Sequence, residues 1–203
     1  MSSLRILLSG IALIAAIAVM FAVNSQDSES ENFTPATATA DTQAAAAVAD
    51  DPPAVGDVAP GFTLFSNEGT EVSLGAYEGQ WVVLYFYPRN FTSGCTIEAK
   101  KFEMDQDKYT DRNAVILGVS TDSVESHEEF CTKEGLSFKL LADVDGQVSN
   151  RYGSLRDGSD RLTSKRNTFV INPTGVVSEV FIGVDPNTHS EQVLEALDDL
   201  QAG

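Results

Sequence analysis

The segment WVVLYFYPRNFTSGCTIEAKKF, residues 81–102, passes from an apolar run through a short polar turn into a helical pattern. The run Trp81–Tyr87 is continuous and rich in β-forming residues, which predicts a strand buried on both faces. A helix is expected from Cys95 to about Tyr109. Cys95, one of two cysteines in the chain, is therefore expected between the end of a strand and the start of a helix, where α/β sheets gather their reactive groups.

Strand and helix patterns alternate from Val55 onward. Strands are predicted at Phe62–Phe65, Glu71–Leu74, Ala114–Ser120 and Phe138–Leu141, followed by a hairpin of Thr168–Ile171 and Val176–Val184. One helix is predicted to end at Glu134, a single helical turn is predicted at Val148–Tyr152, and a last helix is predicted at Thr188–Leu200. This order predicts an α/β, thioredoxin-like fold in which helices cover both faces of a mixed central sheet.

Residues 1–25 differ from the rest of the sequence and predict that the remainder of the chain is exported. Arg5 precedes an apolar run, Ile6–Val23, that is interrupted only by one serine and one glycine. A membrane-spanning helix needs about 20 residues and a signal-peptide core about 7–15, so a membrane anchor and a signal peptide cleaved after Ser25 both stay open. The exported part is expected in the periplasm or another compartment outside the cytoplasm.

Residues 26–54 are rich in Ala, Thr, Ser, Asp and Pro and nearly lack large apolar side chains. Such a segment buries too little surface to offset its ordering entropy, which predicts a disordered acidic linker before a domain at residues 55–203. The whole chain carries a formal net charge of -17. This charge argues against nucleic-acid binding, because binding to phosphates requires clustered Lys and Arg.

Several residues around Cys95 favour its thiolate, the reactive form of cysteine. The free N–H groups and the dipole at a helix N-terminus stabilise negative charge. Gly94 leaves those N–H groups uncovered, Thr92 places a hydroxyl three residues before the sulfur, and Pro88 fixes the chain as it leaves the strand. The alternative is that Cys95 is a small buried core residue, as free cysteines often are.

These positions form the pattern Pro-x-x-x-Thr-x-x-Cys, as Pro88, Thr92 and Cys95. With its flanks, the pattern resembles the signature of the peroxiredoxins, and most closely that of their bacterioferritin-comigratory or Q-type branch. Similar segments come after it in the same order: GVSTDSVESHEEF, LSFKLLADVDGQVSNRYG and KRNTFVINPTGVV. The resemblance spans nearly all of residues 55–200. One departure is Ser93, where this branch most often has proline.

The resemblance implies a peroxidase for hydrogen peroxide and organic hydroperoxides that needs no cofactor and no metal. Cys95 would be the peroxidatic cysteine, whose thiolate attacks the peroxide and becomes a sulfenic acid. Thr92 would hydrogen-bond the thiolate and orient the peroxide, Arg166 would stabilise both, and Pro88 would shield the sulfenate from water. Glu98 would either brace Arg166 or be an ordinary first-turn acid favoured by the helix dipole.

The second cysteine, Cys131, would be the resolving cysteine, because some members of this branch carry one in the following helix. Others carry it five positions after the first cysteine, where this chain has Lys100. Cys131 would form a disulfide with Cys95 after local unwinding of both helices, and thioredoxin or a similar protein would reduce it. Three alternatives stay open: Cys131 as a core residue, a permanent structural disulfide, or a metal pair with His127, one helical turn earlier.

Two other functions are compatible with this fold. An exported thioredoxin-like disulfide oxidoreductase is expected to carry a second cysteine three positions after Cys95, where this chain has Glu98. A catalytically inactive binding module would keep the fold without the chemistry, and Ser93 is the feature that favours it.

The expected partners are a peroxide and a thioredoxin-like reductant, with a membrane contact only through an uncleaved N-terminal segment. The protein is expected to be a monomer.

Overall fold

A seven-stranded mixed sheet runs through the part of the protein that the computed structural model describes, residues 52–156 and 161–203. The strands are β1 (Thr63–Ser66), β2 (Glu71–Ser73), β3 (Trp81–Phe86), β4 (Ala114–Ser120), β5 (Lys139–Ala142), β6 (Asn167–Ile171) and β7 (Val177–Ile182). The helices are α1 (Ser93–Met104), α2 (Gln106–Asp111), α3 (Val124–Glu134), α4 (Gln147–Arg151) and α5 (His189–Ala202), with a 3₁₀ turn at Leu74–Tyr77. No helix within these described residues has the length and apolar character needed to cross a membrane. The predicted anchor or signal peptide at residues 1–25 and most of the predicted linker, up to residue 51, lie outside the described residues.

The strands follow the order β2-β1-β5-β4-β3-β6-β7 across the sheet. The central strands β3, β4 and β5 are parallel neighbours, whereas β6 and β7 on one side and β1 and β2 on the other are antiparallel. Parallel neighbours need crossover connections, which α1 with α2 and then α3 provide. This arrangement confirms the predicted thioredoxin-like fold with a mixed central sheet.

Side chains of β3 alternate between the two faces of the sheet, as strand geometry requires. Tyr85 and Tyr87 lie in a core that also holds side chains of α1, α2, α3 and α5. Leu84 and Phe86 lie in a second core, which includes Val148 of α4. Helices therefore cover both faces, as predicted, and the continuous apolar run of β3 is explained by its burial on both sides.

The predicted single helix from Cys95 to Tyr109 is wrong, because the chain breaks at Asp105 into α1 and α2. Asp105 leaves helical geometry with φ −99° and ψ 5°. Its carboxylate accepts hydrogen bonds of 2.7 Å from Ser190 Oγ, at the start of α5, and from Lys108 Nζ. One of these partners, Ser190, is distant in sequence, so the local helical pattern gives no signal for that contact.

Candidate active site

Cys95 occupies the first turn of α1. Thr92 is the N-cap residue and has extended backbone angles, φ −85° and ψ 145°. The Thr96 N–H donates to the Thr92 carbonyl at 2.9 Å, which closes the first turn around Cys95. The first N–H groups of a helix lack carbonyl acceptors within it, so they and the helix dipole favour a negative charge on this sulfur. Cys95 is nevertheless only 1% exposed.

The guanidinium of Arg166 joins Cys95 to a buried carboxyl group. Arg166 directly precedes β6, which pairs antiparallel with β3 near the middle of the sheet. Its Nη2 donates to Cys95 Sγ at 3.1 Å, and its Nη1 donates to Glu98 Oε2 at 2.5 Å. A permanent positive charge in contact with sulfur stabilises the thiolate over the thiol. The structure thus brings together Cys95, Arg166 and Glu98.

Glu98 is a buried carboxyl group whose charge is only partly compensated. The residue is 1% exposed, and burial raises the pKa of its carboxyl to about 7 even though Arg166 lowers that pKa in part. Its Oε1 finds no hydrogen-bond partner among the described residues. Of the two predicted roles, the contact with Arg166 is therefore the one present, since a surface acid of a first helical turn would not be buried in this way.

Gly94 leaves room for the guanidinium beside the start of α1. A Cβ atom at this position would lie 2.9 Å from Arg166 Nη2 and 3.6 Å from Pro186 Cγ. The first distance is shorter than real Cβ contacts, so any side chain here displaces the Arg166 head group. The sequence indicated Gly94 only as a residue that uncovers N–H groups. Its contact with Arg166 was missed because no local pattern links positions so far apart in the chain.

Thr92 and Pro88 lie in the turn that joins β3 to α1. Thr92 is exposed, and its hydroxyl donates to the Arg89 carbonyl at 3.1 Å. The predicted donation from Thr92 to Cys95 Sγ therefore requires the hydroxyl to rotate away from Arg89, and the role of Thr92 toward peroxide stays a prediction. Pro88 is half-buried just after β3, and its predicted shielding of the sulfenate also stays a prediction.

Cys131 lies in the second half of α3 and is 6% exposed. Burial raises the pKa of its thiol to about 11, and the carboxylates of Glu103 and Glu68 act in the same direction. Both cysteines are free thiols and belong to one core cluster. In this state Cys131 is therefore a core residue, and the permanent disulfide that the sequence left open is not formed between the two.

The surroundings of His127 do not support the alternative in which His127 and Cys131 form a metal pair. That imidazole is fully buried, and its Nδ1 lies 3.1 Å from Asn90 Nδ2. Within residues 52–156 and 161–203, no three side chains of His, Cys, Asp or Glu are grouped as metal ligands. His127 therefore belongs to a hydrogen-bonded group inside the protein, next to the turn that precedes Cys95.

Known proteins are similar in sequence to this chain over most of the described domain. The model of the AhpC/TSA family matches residues 55–180. A putative peroxiredoxin bcp of Helicobacter pylori is 40% identical over 147 residues, which is 70% of this chain and 97% of that protein. Peroxiredoxin Bcp of Escherichia coli is 34% identical over 151 residues, which is 70% of this chain and 94% of the relative.

Solved structures of proteins with these names superpose on the described domain. Peroxidoxin BcpB from Mycobacterium tuberculosis superposes with a TM-score of 0.69 at 30% identity, over 73% of this chain and 98% of that one. A Cys-to-Ser mutant of Xanthomonas campestris peroxiredoxin Q gives 0.67 at 33% identity, over 75% and 99% of the two chains. In that protein, two cysteines were replaced in separate structures, and they are separated by the same number of residues as Cys95 and Cys131.

Proposed function

Because the chain belongs to the AhpC/TSA family, within which its relatives are Bcp and Q peroxiredoxins, and is accordingly a thiol peroxidase, we propose that its reaction begins at Cys95. The observation that carries this assignment is the hydrogen bond of 3.1 Å from Arg166 Nη2 to Cys95 Sγ at the N-terminus of α1. Helix N–H groups and a guanidinium together stabilise the ionised sulfur. Cys131 has no such surroundings.

In the first step, the Cys95 thiolate attacks one oxygen of the peroxide, ROOH, and the O–O bond breaks. The sulfur is oxidised to a sulfenic acid, and the leaving RO⁻ takes a proton to become an alcohol, or water when R is hydrogen. Arg166 stabilises the thiolate and then the developing negative charge on oxygen. Thr92 orients the peroxide after its hydroxyl turns from Arg89, and Pro88 keeps water from the sulfenate.

Glu98 supports this step by holding Arg166 in place. Its Oε2 accepts from Arg166 Nη1, so the guanidinium has one arm on Glu98 and the other on the sulfur. The fork of a guanidinium has a fixed shape, and fixing one arm therefore restricts the position of the other. Glu98 is a positioning residue in this scheme, because Arg166 is the group that contacts the reacting atoms.

In the second step, the Cys131 thiol displaces the sulfenic oxygen of Cys95. A Cys95–Cys131 disulfide forms, and one water leaves. With a thiol pKa raised to about 11 by burial, Cys131 is un-ionised where it lies, and a thiolate is the attacking form. Cys131 must therefore leave its buried position before it reacts. A thioredoxin-like dithiol then reduces the disulfide by thiol–disulfide exchange.

The two other functions that the sequence left open have little support. A disulfide oxidoreductase needs a second cysteine near Cys95, and the position three residues later holds Glu98, which is buried against Arg166. An inactive binding module has no need for a guanidinium on a buried thiol. The relatives are named as peroxiredoxins, which favours the peroxidase over both.

A direct experiment tests the peroxidase assignment at Cys95. The purified domain with a thioredoxin system and hydrogen peroxide should consume the peroxide, measured as NADPH oxidation through thioredoxin reductase. The Cys95→Ser variant should show only the uncatalysed background, because serine at the same position provides no reactive sulfur. Turnover retained in Cys95→Ser would remove this assignment.

We also propose that residues 1–25 export the domain and that the exported domain is a monomer. Support for export comes from the apolar run Ile6–Val23 after a single Arg5, with acidic residues on its C-terminal side. Alkaline phosphatase fused to the C-terminus of the full chain should be active in a Gram-negative host and inactive when residues 2–23 are deleted. Equal inactivity of both fusions would contradict export, and sedimentation of the purified domain as a dimer would contradict the monomer.

A further inference from the structure

Two acidic side chains share the positive charge of Arg166. Its Nη2 donates to Cys95 Sγ and its Nη1 donates to Glu98 Oε2, and both partners are only 1% exposed. Cys95 and Glu98 are three residues apart on α1, a spacing that places two side chains next to each other on one face of a helix. If both were ionised, two negative charges would lie beside one positive charge in a buried site, which is unfavourable.

The other titratable groups buried around α1 do not compensate for a second negative charge. Tyr85 of β3 interacts electrostatically with Glu98, and burial holds the pKa of its hydroxyl well above the usual value. Cys131 of α3 has a thiol pKa raised to about 11, and His189 of α5, whose ring packs against α1, has a pKa lowered to about 4 by burial. All three are therefore neutral at about pH 8. Within residues 52–156 and 161–203, no lysine or arginine side chain is buried, and Arg166 itself is half-buried.

The two lysines that follow Glu98 on α1 are paired with other carboxylates. Lys100 Nζ lies 2.8 Å from Glu134, and Lys101 Nζ lies 4.0 Å from Glu191. Both lysine side chains are more than a third exposed, at 52% and 38%, so water and salt screen their charges. Arg166 is therefore the cation on which Cys95 and Glu98 both depend.

The surroundings of Glu98 favour its neutral form. Its Oε1 is buried and has no hydrogen-bond partner among the described residues. Such an oxygen costs less free energy on a neutral acid than on a carboxylate. Burial raises the pKa of the Glu98 carboxyl to about 7, and a thiolate on the same guanidinium would raise that pKa further, because like charges disfavour each other.

We propose that the reduced site holds one negative charge and one proton, with the charge on Cys95 and the proton on Glu98, and that Glu98 releases this proton when Cys95 is oxidised. The proposal rests on the proposed function, because it concerns the proton that the leaving RO⁻ takes up. Glu98 then has two roles: it positions Arg166, and it stores the proton that the first step consumes.

The proton balance of the whole oxidation follows from this assignment. Cys95–S⁻, Cys131–SH, Glu98–COOH and ROOH give the Cys95–Cys131 disulfide, Glu98–COO⁻, ROH and one water. The O–O bond breaks and the S–S bond forms, so the two sulfurs lose two electrons and the peroxide gains them. ROH and water contain the protons of the thiol, the carboxyl group and the peroxide, and none is taken from the solvent. Once the sulfur is neutral, Arg166 compensates Glu98 alone, and a carboxyl group with a pKa of about 7 is mostly ionised at about pH 8.

The test compares proton uptake by wild type and Glu98→Gln, because glutamine can accept from Arg166 but has no such proton to release. Each reduced protein, in weak buffer at about pH 8 with a pH-indicator dye, is mixed with one equivalent of hydrogen peroxide, and the disulfide is quantified by mass spectrometry. Glu98→Gln should take up about one proton from the solvent per disulfide, and wild type much less. Glu128→Gln removes an exposed carboxylate of α3 and is the matched control, which should behave as wild type.

Infrared difference spectroscopy of wild type provides a second measurement, which does not depend on the folding of a variant. Oxidation should remove the C=O stretch of a protonated carboxylic acid and add the stretches of a carboxylate, and a folded Glu98→Gln should lack this change. Equal proton uptake by wild type and folded Glu98→Gln, or no loss of a protonated acid in wild type, overturns the proposal. If hydrogen peroxide does not oxidise Cys95 in wild type, the proposed function fails instead, so the two failures are distinguishable.

Discussion

Cys95 and Cys131 lie in the same core cluster and are almost equally buried, at 1% and 6% exposed. Their electrostatic surroundings are opposite. Cys95 lies at a helix N-terminus in contact with the Arg166 guanidinium. Cys131 lies in the second half of a helix, where burial and two carboxylates raise the pKa of its thiol to about 11. Burial alone therefore does not determine thiol chemistry; the charges that accompany it do.

These different surroundings imply an order for the two thiols in the proposed reaction. In the proposed reaction, Cys95 reacts where it lies, beside the Arg166 guanidinium and the N-terminus of α1. In the same proposal, Cys131, whose thiol pKa is raised to about 11, reacts only after it leaves its site. Under this proposal, the surroundings of Cys95 are organised before the substrate arrives, whereas those of Cys131 have to open during the reaction.

The largest effect is expected from removing the second thiol, which separates the contributions of the two cysteines to the reaction. Cys131→Ser leaves Arg166 and the start of α1 unchanged, so the first oxidation of Cys95 should proceed at the wild-type rate. Sustained turnover with thioredoxin should be lost, and Cys95 should end as a sulfinic acid under excess peroxide. Intact mass and NADPH consumption measure both. Wild-type turnover in Cys131→Ser would show that the reductant resolves Cys95 directly.

The next largest effect removes the cation that distinguishes Cys95 from Cys131. Arg166→Gln should slow the oxidation of Cys95 by about 100-fold to 1000-fold, the usual loss for one well-placed electrostatic donor. Competition with a second peroxidase for limiting hydrogen peroxide measures this rate. Lys165→Gln is the control, because the Lys165 ammonium binds the Gly153 carbonyl instead of the site. A loss smaller than about threefold would contradict the role of the guanidinium.

A smaller effect is expected from Gly94→Ala, which displaces the guanidinium without removing it. The added Cβ would lie 2.9 Å from Arg166 Nη2. The oxidation rate should fall about tenfold, equivalent to about 1.4 kcal/mol of lost transition-state stabilisation. The free energy of unfolding is measured beside the rate, because displacing Arg166 also disturbs its contact with the buried Glu98. Ser93→Ala, at the exposed neighbouring position, should change neither property. An unaltered rate in folded Gly94→Ala would show that Arg166 moves aside without consequence.

The last effect is on stability and not on rate, and it concerns the pH dependence that Glu98 produces. Its carboxyl pKa is raised from the usual 4.5 to about 7 in the folded protein, so between these values the folded state binds more protons than the unfolded state. This contribution to stability is complete below about pH 4.5 and is lost as the pH rises through about 7. His127 and His189, with pKa values lowered to about 4 by burial, act oppositely between about pH 4 and pH 6.5.

The measurement for Glu98 is therefore a difference between two proteins. Urea denaturation at about pH 5 and about pH 8 gives the free energy of unfolding of wild type and of Glu98→Gln. Relative to the variant, wild type should lose stability at the higher pH, because glutamine at this position does not ionise and the histidine effects cancel. Parallel pH profiles would contradict the raised pKa of Glu98.

Much of the fold and part of the site were accessible from sequence. The apolar run of β3, the polar turn and the helical pattern after it are local features, and they predicted Cys95 at a helix N-terminus. Arg166 could be named only through the resemblance to peroxiredoxins, because no short-range pattern connects it to Cys95. The structure confirms the fold over the described residues. The predictions for residues 1–25 and for the monomer stay predictions.

The features that sequence reasoning missed all depend on contacts between distant parts of the chain. At the end of α1, the carboxylate of Asp105 accepts a hydrogen bond from Ser190 of α5. Gly94 is required by the Arg166 side chain, and Asn90 by α3. Propensity and periodicity describe neighbours along the chain, so they contain no information about these pairs. A glycine or an asparagine close to a reactive cysteine is the one local sign of such a contact. It does not indicate which distant residue makes the contact.

The most direct test of the account tracks both sulfurs through a single turnover. The reduced domain is mixed with one equivalent of hydrogen peroxide, quenched in acid at intervals, digested, and mapped by mass spectrometry. We expect Cys95 to gain one oxygen first while Cys131 stays a thiol, and a Cys95–Cys131 disulfide to form as that species decays. Oxygen appearing first on Cys131, or both thiols persisting while peroxide remains, would contradict the assignment of opposite roles to the two buried cysteines.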